Sequence, residues 1–188
     1  MKGLLIVVGI LVIVGVVFGG QLMGSRNQLV TEKNDIDGRW AQVENDMKRR
    51  ADLIPNLVET VKGFAKQEQT VIGEVTSARA ALLGAHSKED AINANNQLSG
   101  AIGRLLVLQE NYPQLKSNEN FLRLQDELAG TENRIAVDRR DYNEAIRKYN
   151  TDVELFPRNI AAALFGYHRD DAYFKTTEQE KKVPQVKF

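Results

Sequence analysis

Cysteine is absent from the 188-residue chain, and histidine is represented only by His86 and His168. Without cysteine the chain can form no disulfide, thiolate zinc site or cysteine nucleophile. The two histidines show no His-x-x-x-His or Glu-x-x-His spacing for zinc. No Walker A, G-x-G-x-x-G or G-x-S-x-G motif occurs. We therefore expect no enzymatic activity, no catalytic or metal-binding residues, no cofactor and no small-molecule substrate.

The chain also has no excess of charge of either sign, because 25 Lys and Arg residues balance 25 Asp and Glu residues. Nucleic-acid binding usually needs clustered Lys and Arg on one face, so the balance argues against a nucleic-acid partner. Proline is scarce, at four residues, while helix-forming side chains are abundant. This composition favours a helical protein.

The most prominent feature present is an uncharged, mostly aliphatic run over residues 4–23. At about 1.5 Å per residue, its 20 residues make a helix of about 30 Å, which matches the hydrocarbon core of a bilayer. The alternative is a cleaved signal peptide, but the run exceeds the usual 7–15 apolar residues and no A-x-A-like site follows. We predict that residues 1–25 form a retained, single-pass transmembrane anchor.

The charges flanking this run leave its orientation open. Lys2 lies before it, and Arg26, Lys33 and Arg39 follow it, so the positive-inside rule favours neither side. Because the N-terminal run resembles a signal anchor, we expect it to cross the inner membrane with the rest of the chain outside the cytoplasm.

Two pairs of glycines four residues apart lie in or just beyond the run, at Gly15 and Gly19 and at Gly20 and Gly24. Small residues at this spacing allow two membrane helices to approach closely. We therefore regard these glycines as candidates for contacts between copies of the chain.

Beyond the anchor, residues 40–82 carry apolar side chains at alternating three- and four-residue steps, interrupted by Arg50 and Glu68. Such a seam is typical of a long helix packed as in a coiled coil. Pro55 lies inside it and predicts either a kink or a hairpin at residues 52–55. The unbroken phase of the seam favours one kinked helix.

Two further helices follow. Ser87 is a candidate N-cap for a helix that ends before Pro113, and Ser117 is a candidate N-cap for the next. The last long helix has a seam with a seven-residue repeat, and Pro157 ends it and begins a short helix over residues 158–165. The residues of this seam are Phe121, Leu128, Ile135, Tyr142, Tyr149 and Phe156.

These elements predict an all-α fold, an antiparallel bundle of three long helices and a short fourth helix on the transmembrane helix. The bundle should cover residues 26–174, and residues 175–188 should form a mobile tail.

Charged side chains within the seams are candidates for a polar network that sets the register of the helices. They are Arg50, Glu68, Glu132 and Arg139. Paired charges inside a bundle can fix register. The alternative is that their long stems cover apolar surface while their charged ends reach water.

The C-terminal part of the bundle has more apolar side chains than a short segment can bury by itself. Those of Ile160, Leu164, Phe165, Tyr173 and Phe174 either pack on their own bundle or contact another subunit or lipid.

Several motifs, spread in order over most of the chain, resemble those of the LemA family. They are residues 49–64 (RRADLIPNLVETVKGF), 110–115 (ENYPQL), 131–135 (TENRI), 140–146 (RDYNEAI), 149–150 (YN) and 156–157 (FP). The resemblance implies an antiparallel bundle on a single-pass anchor in a bacterial envelope. Members are often encoded near other membrane proteins, which implies a helper role, and the family provides no catalytic residues to carry over.

From these observations we expect a membrane-anchored scaffold or adaptor that acts through protein contacts, as a homo-oligomer and with membrane lipids and another membrane protein as further partners. The alternative is a membrane-shaping or lipid-surface-binding protein that uses residues 157–174.

Overall fold

The computed structural model describes residues 2–175, which form helices joined by short turns and followed by a non-helical segment, residues 166–175. No strand occurs in this part, so the all-α prediction is confirmed. Nearly all of the predicted mobile tail lies outside the described residues. The helices are α1 (Lys2–Phe64), α2 (Gln69–Leu83), α3 (Lys88–Val107), α4 (Pro113–Lys116), α5 (Glu119–Glu154) and α6 (Arg158–Phe165), with a 3₁₀ turn at Leu108–Glu110.

Side chains that satisfy free backbone groups fix several helix ends. The Ser87 hydroxyl accepts a hydrogen bond from the Asp90 amide at 3.1 Å, as predicted for the start of α3. The start of α5 is capped instead by Asn118, whose side-chain oxygen accepts from the Phe121 amide at 3.0 Å. The cap predicted at Ser117 is wrong, because that hydroxyl donates back to the Pro113 carbonyl.

The prediction of one helix over residues 40–82 is also wrong. Helix α1 ends at Phe64, and a short turn reverses the chain before α2 begins at Gln69. Backbone hydrogen bonds from Ala65 to Val61 and from Glu68 to Ala65 keep this turn tight. Because the turn preserves the phase of the seam, the apolar pattern alone did not reveal it.

Pro55 neither ends α1 nor starts a hairpin, since α1 continues through it. A proline in a helix provides no N–H for the carbonyl four residues earlier, here that of Ala51. The guanidinium of Arg79 in α2 donates to this carbonyl, with an Nε–O distance of 2.8 Å. The hydrogen bond that proline removes is thus replaced by one that holds α2 against α1.

The described chain divides into two compact units. The first unit combines the chain up to Trp40 with Asp141–Tyr173, and the second contains Ala41–Arg140 together with residues 174–175. Helices α1 and α5 each contribute to both units.

In the first unit the two long helices run antiparallel. Lys148 contacts Glu32 with an Nζ–Oε1 distance of 2.7 Å, and Arg39 lies 3.6 Å from Asp141. The ring of Trp40 packs on that of Tyr142, with 5.4 Å between centroids. The fully or almost fully buried side chains include Leu29, Ile36, Tyr142, Ile146, Tyr149 and Ala161.

In the second unit most of the seam predicted for residues 40–82 is buried along α1 and α2, except Phe64, which is 36% exposed beside the turn, and Val71, which is half-buried. Arg104 of α3 pairs with Glu74 of α2 at 2.8 Å on the surface. The buried side chains include Val43, Met47, Ile54, Leu57, Val61, Val75, Phe121, Leu128 and Ile135. The predicted seam of α5 is therefore confirmed except at Phe156, which is 78% exposed because α5 ends two residues earlier.

The hydrogen bond from Arg79 predicts that mutations of Arg79 and of Pro55 have coupled effects on the free energy of unfolding. Arg79→Met should lower the free energy of unfolding by about 1–2 kcal/mol, because the Ala51 carbonyl loses a charged donor. In a Pro55→Ala background the new amide restores the helical hydrogen bond, so Arg79→Met should cost much less. Urea unfolding of the four proteins gives the coupling energy.

Arg104→Met is the control for this cycle, since its surface pair with Glu74 has no relation to Pro55. If Arg79→Met lowers the free energy of unfolding equally in both backgrounds, Arg79 does not compensate for the hydrogen bond that Pro55 removes.

Candidate functional site

A buried arginine in the second unit connects three helices. Arg50 of α1 is 4% exposed, its Nη1 lies 2.5 Å from Glu132 Oε2 of α5, and it donates to the Ser99 hydroxyl of α3 at 2.9 Å. Burial lowers the pKa of Arg50 and the charge of Arg139 lowers it further, while Glu132 opposes the shift. This ion pair joins two members of the predicted polar network.

The other two members have separate surroundings. Glu68 accepts a hydrogen bond from the Tyr112 hydroxyl at 2.9 Å, next to the turn between α1 and α2. Arg139 lies over the ring of Phe174, 4.9 Å from its centroid, in a cation–π contact. The structure therefore brings Arg50 and Glu132 together, with Arg139 near enough to affect Arg50. The register-setting role of the four remains a prediction.

The first unit contains a second polar cluster, which the sequence analysis missed. Glu32 and Asp152 are 5% and 9% exposed. Glu32 accepts hydrogen bonds from Lys148 at 2.7 Å and from Gln28 at 3.0 Å, while Arg158 forms an ion pair with Asp152. No local motif indicates this cluster, because its two parts, residues 28–32 and residues 148–158, are more than 100 residues apart in sequence.

The pKa of Asp152 reflects opposing effects. Burial favours the neutral acid and is the largest single effect. Hydrogen bonds with Glu32 and Arg158, together with the charges of Arg158 and Lys148, outweigh burial and lower the pKa. The carboxylate of Asp152 is thus stabilised in its charged form beside the basic groups.

Asn150 holds the segment after α6 against α5. Its side-chain amide donates to the Asp170 carbonyl at 2.7 Å, and its oxygen accepts from the Asp170 amide at 2.8 Å. The same side chain donates to the Tyr173 hydroxyl at 3.0 Å. The Tyr149 hydroxyl adds a bond to the His168 carbonyl, and burial raises the pKa of Tyr149.

The apolar residues proposed as oligomer or lipid contacts divide into two groups. Leu164 is 64% exposed and Ile160 is 38% exposed. Phe165 is half-buried beneath the guanidinium of Arg26, 5.6 Å from the ring centroid. Tyr173 and Phe174 are half-buried on Asn150 and Arg139, in different units.

Their neighbours Leu155 and Phe156 are 58% and 78% exposed. Leu155 was not among the predicted contact residues, and Phe156 was predicted as the last position of the seam. Both precede Pro157, and this was the available signal, since a residue before proline disfavours helix.

The glycines of the apolar run are open on every side within the chain. A Cβ atom added to Gly15, Gly19, Gly20 or Gly24 would meet no atom within 4 Å. Gly15 and Gly19 lie on one side of the helix and are called the glycine face below, while Gly20 and Gly24 lie on another side, about 140° around the helix from them. Within residues 2–175, α1 is the single helix long and apolar enough to cross a membrane, and its most apolar window is unburied.

A groove of about 300 Å³ in the second unit is lined by side chains of both charges, including Arg49, Arg123, Asp126 and Arg134. In the described part of the chain, no group of three or more His, Cys, Asp or Glu residues could hold a metal ion.

A helical bundle continuous with an apolar, unburied helix defines a membrane-associated helical protein. Residues 39–188 match the LemA family, and the chain belongs to that family.

Two relatives are the magnetosome proteins MamQ 1 and MamQ 2 of Paramagnetospirillum magneticum. Each is 26% identical over 197 residues, covering 91% of this chain and 71% of the relative. Protein LemA of Metamycoplasma hominis is 23% identical over 160 residues, covering 85% of this chain and 73% of its own length.

The ion pair of Arg50 predicts an asymmetric effect of mutation. Glu132→Ala should lower the free energy of unfolding by about 2 kcal/mol, because it leaves a buried guanidinium without its carboxylate while water screens part of the loss. Glu127→Ala, an exposed carboxylate of the same helix, should change it by less than about 0.5 kcal/mol.

Thermal and urea unfolding would measure both effects. Replacing the pair together, as Arg50→Met with Glu132→Leu, should recover much of the loss. An unfolding curve of Glu132→Ala that matches that of Glu127→Ala would exclude a structural role for the pair.

Proposed function

We propose that this protein is a membrane-anchored scaffold or adaptor of the bacterial envelope that acts through protein contacts as a homo-oligomer. Its anchor crosses the inner membrane once, with the body outside the cytoplasm. Its partners are membrane lipids, further copies of the chain and another membrane protein. It performs no catalysis and takes neither a nucleic acid nor a small-molecule substrate.

The observation that carries the proposal is the open glycine face. In a bilayer, apolar side chains gain little by leaving lipid for another helix, so association depends on close packing at small residues. A second copy of α1 can approach at Gly15 and Gly19 without displacing any atom of its own chain. This supports association through the anchor.

The body has features expected of a rigid platform. Arg50 joins α1, α3 and α5, and Arg79 holds α2 on α1. The two histidines lie in different parts of the chain, His86 in the loop before α3 and His168 in the segment after α6. These features support a role in which the body presents surfaces to other proteins rather than transforming a substrate.

The alternative of a membrane-shaping protein that uses all of residues 157–174 is less well supported. It needs a continuous amphipathic helix with an unoccupied apolar face. Helix α6 covers only Arg158–Phe165, and the segment after it is hydrogen-bonded to Asn150.

Association through the glycine face can be tested in mild detergent. The full-length protein should have the mass of an oligomer, and Gly19→Leu should shift the distribution towards the monomer, because its side chain separates the helices. Gly9→Leu, in the same apolar run but outside the glycine face, is the matched control.

Light scattering of the detergent complexes would give the masses. A monomer at all concentrations of the unaltered protein would contradict the homo-oligomer, and equal effects of the two substitutions would contradict the role of the glycine face.

A further inference from the structure

The corner between α5 and α6 exposes a group of large apolar side chains. They are Leu155, Phe156, Ile160 and Leu164, which we call the apolar corner. Their exposed fractions are 58%, 78%, 38% and 64%. Outside the N-terminal apolar run, the other large apolar side chains of the first unit are buried or half-buried. Such a group on one corner therefore indicates a surface that something else covers.

The pairing of α1 and α5 gives the level of this corner along α1. Glu32 lies beside Lys148 and Arg39 beside Asp141, so a residue n of α1 faces a residue near 180 − n of α5. Extending this antiparallel register places Leu155 and Phe156 level with Ser25 and Gly24. That level is where the apolar run of residues 4–23 ends.

Two contacts of α6 agree with this level. Arg158, the first residue of α6, donates to the side-chain oxygen of Gln28 at 2.9 Å. Phe165, its last residue, lies under Arg26. The whole helix is therefore held beside residues 26–28 of α1, with Ala161 and Ala162 buried on its inner side.

These positions correspond to the boundary between headgroups and acyl chains. Residue 28 lies five residues beyond the run, which is about 7.5 Å along a helix. Amphipathic helices at a membrane surface insert their apolar side about 5–10 Å into this layer. The exposed basic side chain of Arg26 lies at the same level, where it can contact lipid phosphates.

We propose that the apolar corner inserts into the headgroup–acyl boundary of the same bilayer that the N-terminal run crosses. The first unit then contacts the membrane at two places, the transmembrane helix and the corner beside it. The inference rests on the proposed anchoring, and it names lipid as the partner of this corner. Protein coverage of the corner, by a second copy for example, is the competing outcome.

The absence of cysteine makes a site-specific test direct. Single variants Phe156→Cys and Leu164→Cys of the full-length protein would be labelled with an environment-sensitive fluorophore. The labelled proteins would be reconstituted into phosphatidylcholine–phosphatidylglycerol vesicles. Quenching by nitroxide lipids reports contact with the bilayer, with shallow nitroxides used for the corner labels and deep nitroxides for the Leu11 label, and quenching by iodide reports contact with water.

Two further labelled variants provide the references. Val107→Cys replaces an apolar residue of the second unit that is as exposed as Leu164, and it should behave as a site in water. Leu11→Cys lies within the apolar run and should report the anchor itself. Circular dichroism would verify that each variant is folded, and Leu155→Cys replaces any corner variant that is not.

We expect nitroxide lipids to reduce the emission of the Phe156 and Leu164 labels at least about twofold while leaving the Val107 label nearly unchanged. Iodide should have the opposite pattern. If the Leu11 label is quenched by lipid but the corner labels are quenched only by iodide, the inference is overturned and the anchor stands.

Two other outcomes would also overturn the inference. Corner labels shielded from both quenchers would show that protein covers the corner. A Leu11 label that lipid does not quench would overturn the proposed anchoring, and with it the inference.

Discussion

The antiparallel pairing of α1 with α5 is the constraint on which the rest of the structure depends. In each unit the pairing combines an apolar seam with a charged group that cannot be buried alone, Glu32 in the first and Arg50 in the second. Glu32 pairs with Lys148 and Arg50 pairs with Glu132, and both pairs form only when α5 lies in one register along α1. The seam supplies the hydrophobic stabilisation, while the charged pairs disfavour a shift of one helix along the other.

Much of this pairing could be predicted from the sequence, because seven-residue periodicity records which side of a long helix is buried. The buried positions of α5 from Phe121 to Tyr149 follow directly from it. Periodicity does not record where a chain reverses, since the turn before Gln69 keeps the phase. Pro55 left open a reversal at residues 52–55, where none occurs, because its effect depends on whether a distant donor such as Arg79 satisfies the freed carbonyl.

The candidate sites were predictable to different degrees. Charged interruptions of a seam pointed to Arg50 and Glu132, which do meet, but the same signal at Glu68 marked a separate hydrogen bond to Tyr112. The cluster around Asp152 depends on residues distant in sequence, so no local pattern could reveal it. Phe156 continued the seven-residue repeat and was predicted to be buried, although the helix ends before it.

In the first unit, the antiparallel pairing of α5 with α1 places the α5–α6 corner level with the end of the apolar run. The proposed contact of this corner with the membrane depends on that position. The distance between nitroxide labels at Asn27→Cys and Thr151→Cys, both exposed, tests this most directly. In bilayer discs, with excess unlabelled protein to suppress distances between copies, the account predicts about 10–25 Å, as expected for labels on adjacent packed helices. A distance beyond about 35 Å would show that α5 does not pair with α1 in this register, and would contradict the account.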